Sequence, residues 1–283
     1  MFINIALSAI LARKRMKKLT AYALLLIIAA LTVPASAKYI TLTHTVTLER
    51  VIAGDATTVN VSLMNSGDEA AYDVQISLLL PDGINSTQLF LGKVEPNMPQ
   101  TGTFEVKMPP NLTPGKYSIA ILTEYKDANG YPFSSVTPNY LAVKDIRSSQ
   151  MGGTIQETTL GNKESKTITL DLRNMDSKDH NINIRLFAPR ELKTDTDKKS
   201  LNIPARSEAK TDFGISSFGA LPGSSYVVFA SLDYDDSGIH YSSTASGIVK
   251  VVEQKDMLNF SGILPIAVLA LIVLAFIIYQ FKK

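Results

Sequence analysis

The chain has 283 residues, 45% of them apolar, which suffices for two ordinary domains with real cores and excludes a disordered or polytopic membrane protein. It has no cysteine, so disulfides, thiolate catalysis and cysteine-bound metal are excluded together, and packing alone must hold any domain. The net charge of +2 belongs to the ends: residues 1–37 and 257–283 carry seven basic groups and no acid, which leaves 21 bases against 26 acids between them and no footprint for nucleic acid.

In chain order, the "RKRMKK" cluster precedes the apolar run "AYALLLIIAALTV" and then "PASA". A charged region, a short apolar region and a small-residue cleavage signal in that order predict a signal peptide over 1–37, cut after Ala37. The apolar run falls short of the roughly 20 residues that span a bilayer comfortably, which favours a removed signal peptide over the alternative of an uncleaved anchor. Met16 opens a complete signal by itself, so either Met1 or Met16 serves as the start.

From Lys38 the apolar period becomes two. Val59, Val61 and Leu63 alternate with Asn60 and Ser62, and Val74, Ile76 and Leu78 alternate with Asp73, Gln75 and Ser77. Such alternation places one face in a core and the other in water, as in an antiparallel sheet. Turn residues fall between the runs, in "NSGDE" at 65–69, "PDG" at 81–83, "PG" at 114–115 and "DANG" at 127–130.

The pattern then returns. Gly54, Asn65, Val74, Pro81, Pro96 and Phe104 are matched by Gly161, Asn174, Ile182, Pro189, Pro204 and Phe213, at offsets of 107 to 109. "TPGKY" is matched by "LPGSSY", and the strand after it sets Tyr117, Ile119, Ile121, Thr123 and Tyr125 against Tyr226, Val228, Ala230, Leu232 and Tyr234. This period is that of a duplicated domain, far longer than a solenoid unit. About seven short strands in each copy predict two tandem immunoglobulin-like β-sandwiches, over 38–145 and 146–256, in an all-β fold. The tyrosines are expected to pack, with a hydroxyl reaching nearby backbone. The linker "VKDIRSSQMGGT" at 143–154, polar and holding Gly152 and Gly153, is expected to leave some hinge freedom.

The stretch from Met257 to Phe281 carries no charge, and at about 1.5 Å per residue it is long enough to span the hydrocarbon core as a helix. Lys282 and Lys283 form the cytoplasmic tail by the positive-inside tendency. The expected layout is a single-pass type I membrane protein with its sandwiches outside the cytoplasm.

The first copy, with its turn at Asn65 and Gly67, its "LPDG" at Pro81 and Gly83, its "LGKVEP" return and its "PGKY" at Pro114, Gly115 and Tyr117, resembles the β-sandwich modules of the CARDB and alpha-galactosidase-associated families. Tandem modules with a signal peptide and one C-terminal span are similar to archaeal S-layer-domain-like surface proteins. The resemblance covers roughly 40–250 and implies a fold; such modules serve as spacers, adhesins and accessory subunits.

Chemistry-bearing motifs are sparse. His44, His180 and His240 have no metal-ligand spacing and read as surface or turn residues, and no nucleophile elbow, P-loop or dinucleotide fingerprint is present. No catalytic, cofactor or metal site is expected, although the acidic hairpin with Asp233, Asp235 and Asp236 offers oxygen ligands of the kind that bind calcium. Sequons at Asn60, Asn85 and Asn111 are candidate N-glycosylation sites, and a fourth, at Asn259, lies almost at the membrane. Two function classes follow: a non-catalytic adhesive, scaffolding or S-layer-associated surface protein, or an accessory subunit of a membrane complex. For the second, an ABC-type exporter is one candidate, and the translocon-associated beta subunit has a similar layout.

Overall fold

Residues 38–253 are described by a computed structural model. The expected signal peptide, membrane span, cytoplasmic tail and Asn259 lie outside the described residues. Among these residues every regular element is a strand, and no helix is long and apolar enough to cross a membrane.

The first copy contains β1 (Leu42–Thr47), β2 (Ala56–Asn65), β3 (Ala71–Leu79), β4 (Asn85–Ser86), β5 (Leu89–Val94), β6 (Gln100–Lys107), β7 (Gly115–Lys126) and β8 (Pro132–Val143). The second contains β9 (Met151–Ile155), β10 (Thr158–Gly161), β11 (Ser165–Asn174), β12 (His180–Phe187), β13 (Leu192–Thr194), β14 (Lys198–Ile203), β15 (Glu208–Ser217), β16 (Ser225–Asp236) and β17 (Ile239–Val252). In the first copy the sheet β1-β2-β6-β4 faces β5-β3-β7-β8, and in the second β9-β11-β15-β13 faces β14-β12-β16-β17 with β10 alongside. The alternating residues do what their period requires: Val59, Val61, Leu63, Ile76, Phe104, Ile119 and Ile121 fill one core, and Ile168, Leu170, Ile182, Phe213, Val228 and Leu232 fill the other.

Duplicated residues perform duplicated tasks. Asn65 and Asn174 are buried at the ends of β2 and β11, where each side-chain oxygen accepts the N–H two residues on, from Gly67 at 3.0 Å and Asp176 at 2.9 Å. Each amide donates to the carbonyl four residues on, Glu69 at 2.7 Å and Lys178 at 2.8 Å, and ties that turn to a second strand through Val94 or Ile203. The side chain thus supplies the turn's hydrogen bonds in place of backbone. Tyr117 buries its ring and donates its hydroxyl to Thr113 O at 2.6 Å, and Tyr226 accepts from Leu221 N–H at 3.3 Å, as expected of a packed tyrosine at a strand's start.

The junction between the copies differs from the expectation of a hinge. Gly152 and Gly153 form part of β9, opposite Arg173 and Leu172 of β11. A Cβ on Gly153 would lie 2.9 Å from Asp171 O, so this glycine permits a close approach of strands. The even-numbered face of β7, which alternation assigns to solvent, is covered. Ala120 and Leu122, with Leu79 and Val136, pack against Phe187 and Phe229 of the second copy, whose rings stack at 4.7 Å. Leu79 and Phe187, like Ala120 and Phe229, stand at offsets of 108 and 109, so related faces of the two copies meet each other. A bridge between Gly115 of β7 and His240 of β17 carries the pairing from one copy to the other, giving a sheet of nine strands. Each copy keeps its own core, and the described residues from Ile40 onward belong to one compact unit.

Candidate functional site

At either end of this shared face a hairpin of one copy reaches toward the Pro-Gly turn of the other. The two seams so formed have different chemistry.

The first is closed. The Ile239–Val252 strand starts against β7, with His240 N–H donating to Pro114 O at 2.8 Å and the imidazole stacked on Tyr117 at 4.1 Å between ring centres. His240 Nδ1 lies 2.8 Å from Asp235 Oδ1, and Nε2 lies 3.8 Å from Asp233 Oδ1. The buried Ser242 hydroxyl donates to Asp233 Oδ1 and accepts from Ser118 N–H at 3.1 Å. Burial lowers the pKa of His240, but hydrogen bonds and charge from Asp233 and Asp235 outweigh it and hold the imidazolium above the ordinary 6.5. Burial, with the Asp235 and Asp233 carboxylates adding to it, pushes the Tyr117 hydroxyl up to about 12.

A measurable pH dependence follows. The raised pKa of His240 gives the fold a contribution that is fully present below pH 6.5 and is lost as pH rises through the folded value. His44, whose pKa burial lowers, has the opposite sign and loses its contribution as pH falls below 6.5. His240→Gln is therefore expected to remove the decline in stability above pH 6.5 and to leave the acid-side decline in place. Urea midpoints measured from pH 5 to 9 test this, and an unchanged alkaline slope in the variant refutes it.

The second seam is open. Tyr125 of β7 and Phe133 of β8 face each other across the hairpin with ring centres 5.5 Å apart, and Tyr131 tilts onto Phe133 at 5.2 Å. The hairpin tip is held by Asp127 Oδ1, which accepts from Asn129 and Tyr131 N–H at 2.9 and 2.8 Å, and by Glu69, which accepts from Ala128 N–H at 2.8 Å. Tyr131 donates its hydroxyl to Gly219 O of the second copy at 2.6 Å. Ser134 N–H and Oγ–H both donate to the buried Glu191 carboxylate at 2.6 Å, and Arg190 Nε pairs with Glu124 at 2.8 Å.

Between these contacts lies a cleft of about 650 Å³. A bulge at Asp73 (φ 50°) interrupts β3 along one wall, and Asp73 pairs with Lys126 at 2.8 Å. Phe90 of β5 and Phe218, which precedes the Pro222–Gly223 turn, also line the cleft. With exposures of 68% and 70% they are the two most exposed large apolar side chains among the described residues. Burial, with Glu191 and Tyr226 adding to it, pushes the Tyr125 hydroxyl up to about 12, so it stays a neutral group near the cleft at ordinary pH.

The residues singled out in the sequence fall elsewhere. Asn60 is exposed on β2 and accepts from Thr103 Oγ at 2.9 Å, Asn85 is exposed on β4, and Asn111 is exposed in the turn before Gly115. Asp233 accepts from Ser242, Asp233 and Asp235 share His240, and Asp236 pairs with Lys178, and among the described residues no three His, Cys, Asp or Glu side chains converge as a metal site. The histidines are more enclosed than surface residues: His44 shares a 2.6 Å hydrogen bond with the buried Thr123, and the buried His180 lies 2.8 Å from Asp176. Neither Phe90 nor Phe218 lies in a motif, and only the paired copies bring them together.

Residues 51–125, most of the first copy, match the family described as NPCBM-associated, NEW3 domain of alpha-galactosidase. The resemblance to the alpha-galactosidase-associated family therefore holds over that stretch. No curated protein matches the chain. Among solved structures, the native conformation of Escherichia coli alpha-2-macroglobulin is 10% identical with a TM-score of 0.30 over 74% of this chain and 17% of its own. A Salmonella alpha-2-macroglobulin mutant is 10% identical with a TM-score of 0.31, over 77% and 17%. A Porphyromonas gingivalis protein of unknown function is 12% identical with a TM-score of 0.30, over 74% and 99%. The chain thus spans about a sixth of the length of these macroglobulins.

Proposed function

We infer that the protein is a non-catalytic, single-pass membrane protein of the cell surface, whose two immunoglobulin-like sandwiches form one adhesive or scaffolding body in or beneath an S-layer. The observation that carries this reading is the open cleft, where apolar side chains from both copies stand in solvent without contributing to either core. The charged, apolar and small-residue order of residues 1–37 and the uncharged run from Met257 to Phe281 support a layout in which that cleft faces outward. Its ionisable groups support binding more than turnover, since Glu124, Asp73 and Glu191 are each engaged by Arg190, Lys126 or Ser134. The CARDB-like and S-layer-like layout fits the same role.

Crosslinking in intact membranes, followed by identification of the neighbours, tests the reading. Recovery of envelope components in variable ratio is expected. Recovery of one membrane complex in fixed ratio after mild detergent extraction makes the chain an accessory subunit instead, the role of an exporter or translocon partner.

A further inference from the structure

We propose that the cleft between the copies binds an uncharged saccharide chain, a ligand class that rests on the surface-adhesive reading above. The argument starts from the duplication. The stacked pair Tyr125–Phe133 has a counterpart in Tyr234–Tyr241, whose rings stack at 5.0 Å. In the second copy Tyr241 is half-buried but Tyr234 is buried, with His180 against its ring and Gln150 N–H donating to its hydroxyl at 3.2 Å. In the first copy the corresponding rings line open space.

Phe90 is likewise no requirement of the fold. It pairs with Gln75 across β3 and β5, and at the matching place in β12 and β14 Asn183 pairs with Ser200. A serine serves that strand position in one copy, so an exposed phenylalanine in the other calls for a reason beyond packing. Phe218, in the second copy, is turned to the same cleft.

The polar groups restrict the ligand. Glu124 is paired with Arg190 and Asp73 with Lys126, and both oxygens of Glu191 are taken by Ser134. Glu191 is the lining carboxylate without a cationic partner, so the cleft carries one net negative charge, which disfavours a polyanion, and the buried Glu191 oxygens, both taken by Ser134, are closed to a cation. Its ion pairs still set carboxylate acceptors beside guanidinium and ammonium donors, which adjacent hydroxyls engage together. Aromatic faces carry negative charge density and favour the C–H faces of a flat, uncharged ring. A pyranose offers both surfaces at once. The volume of about 650 Å³ is within the range of small-ligand sites and admits a short stretch of chain.

The test uses the full chain in mild detergent, titrated against immobilised neutral hexose and N-acetylhexosamine oligosaccharides, a uronic-acid polymer and a proline-rich peptide. Retention on at least one neutral saccharide is expected, with Phe90→Ala and Phe218→Ala each weakening it about tenfold or more. Met98→Ala, a control at an exposed apolar residue outside the cleft, should leave it unchanged. Circular dichroism shows whether each variant keeps its fold. Binding confined to the uronic polymer or the peptide, no neutral saccharide bound, or neutral binding indifferent to both phenylalanines overturns the proposal. If envelope crosslinks persist in that case and disappear in the Phe90→Ala, Phe218→Ala double variant, the adhesive role stands and only the ligand class falls.

Discussion

Replacing Gly115 by alanine is expected to split the unfolding of the protein into two transitions. Gly115 opens β7 at the point where β17 of the other copy joins, and a Cβ there would lie 2.0 Å from His240 O and 2.7 Å from the carbonyl carbon and nitrogen of the same residue. These are backbone atoms and have no rotamer by which to yield. The positive φ of 149° adds strain of its own. Relief requires β17 to move away, and the His240–Pro114 and Ser118–Ser242 hydrogen bonds go with it. The expected cost is about 3 kcal/mol or more, at the upper end for overpacking. Because the loss falls on the contact between the copies and not on either core, calorimetry should resolve one joint transition into two. Gly130→Ala is the control: its φ is also positive, at 79°, but nothing lies within 4 Å of the added carbon. It should cost about 1 kcal/mol, the penalty for a strained backbone alone. Equal losses from the two substitutions would show that the close approach at the seam does not matter.

The second large effect is expected from Asn174→Ala. The buried side chain donates to carbonyls of Lys178, Ile203 and Pro204 and accepts from Asp176 N–H, so truncation strands several backbone groups where water cannot replace the amide. A loss of about 2–4 kcal/mol in urea denaturation is expected, since leaving buried polar groups unpaired costs more than a hydrogen bond contributes. Asn174→Asp keeps the acceptor for Asp176 and loses the donors, and it should be nearly as harmful. Asn65→Ala removes the related contacts in the first copy and should fall in the same range. A loss below about 1 kcal/mol from either alanine variant would mean that the turns hold themselves.

Much of this was legible in the residues. Period-two alternation at Val59–Leu63 and Val74–Leu78 announces strands with one buried face, and the matched Asn65 and Asn174 announce a repeat. The covered face of β7 and β16 was missed because alternation alone cannot distinguish water from a neighbouring domain. A signal was available in "IAIL" at 119–122 and "VFA" at 228–230, where continuous apolar runs mark strands enclosed on both sides. The glycines of "QMGGT" read as hinge residues because freedom and close approach call for the same side chain, and only the opposing strand tells them apart. The open cleft had no local signal at all. Phe90 and Phe218 are isolated phenylalanines in different copies, and their convergence is a product of how the copies meet.

Joining the two copies in one polypeptide has a consequence for what their meeting surface can become. In a homodimer of single sandwiches every substitution is written twice, once on each side of the twofold axis, so sealing one groove seals its twin. Tethering breaks that obligation: a histidine wedge can lock one side of the pair while aromatic residues accumulate on the other, and rigidity and recognition need not compete for the same positions.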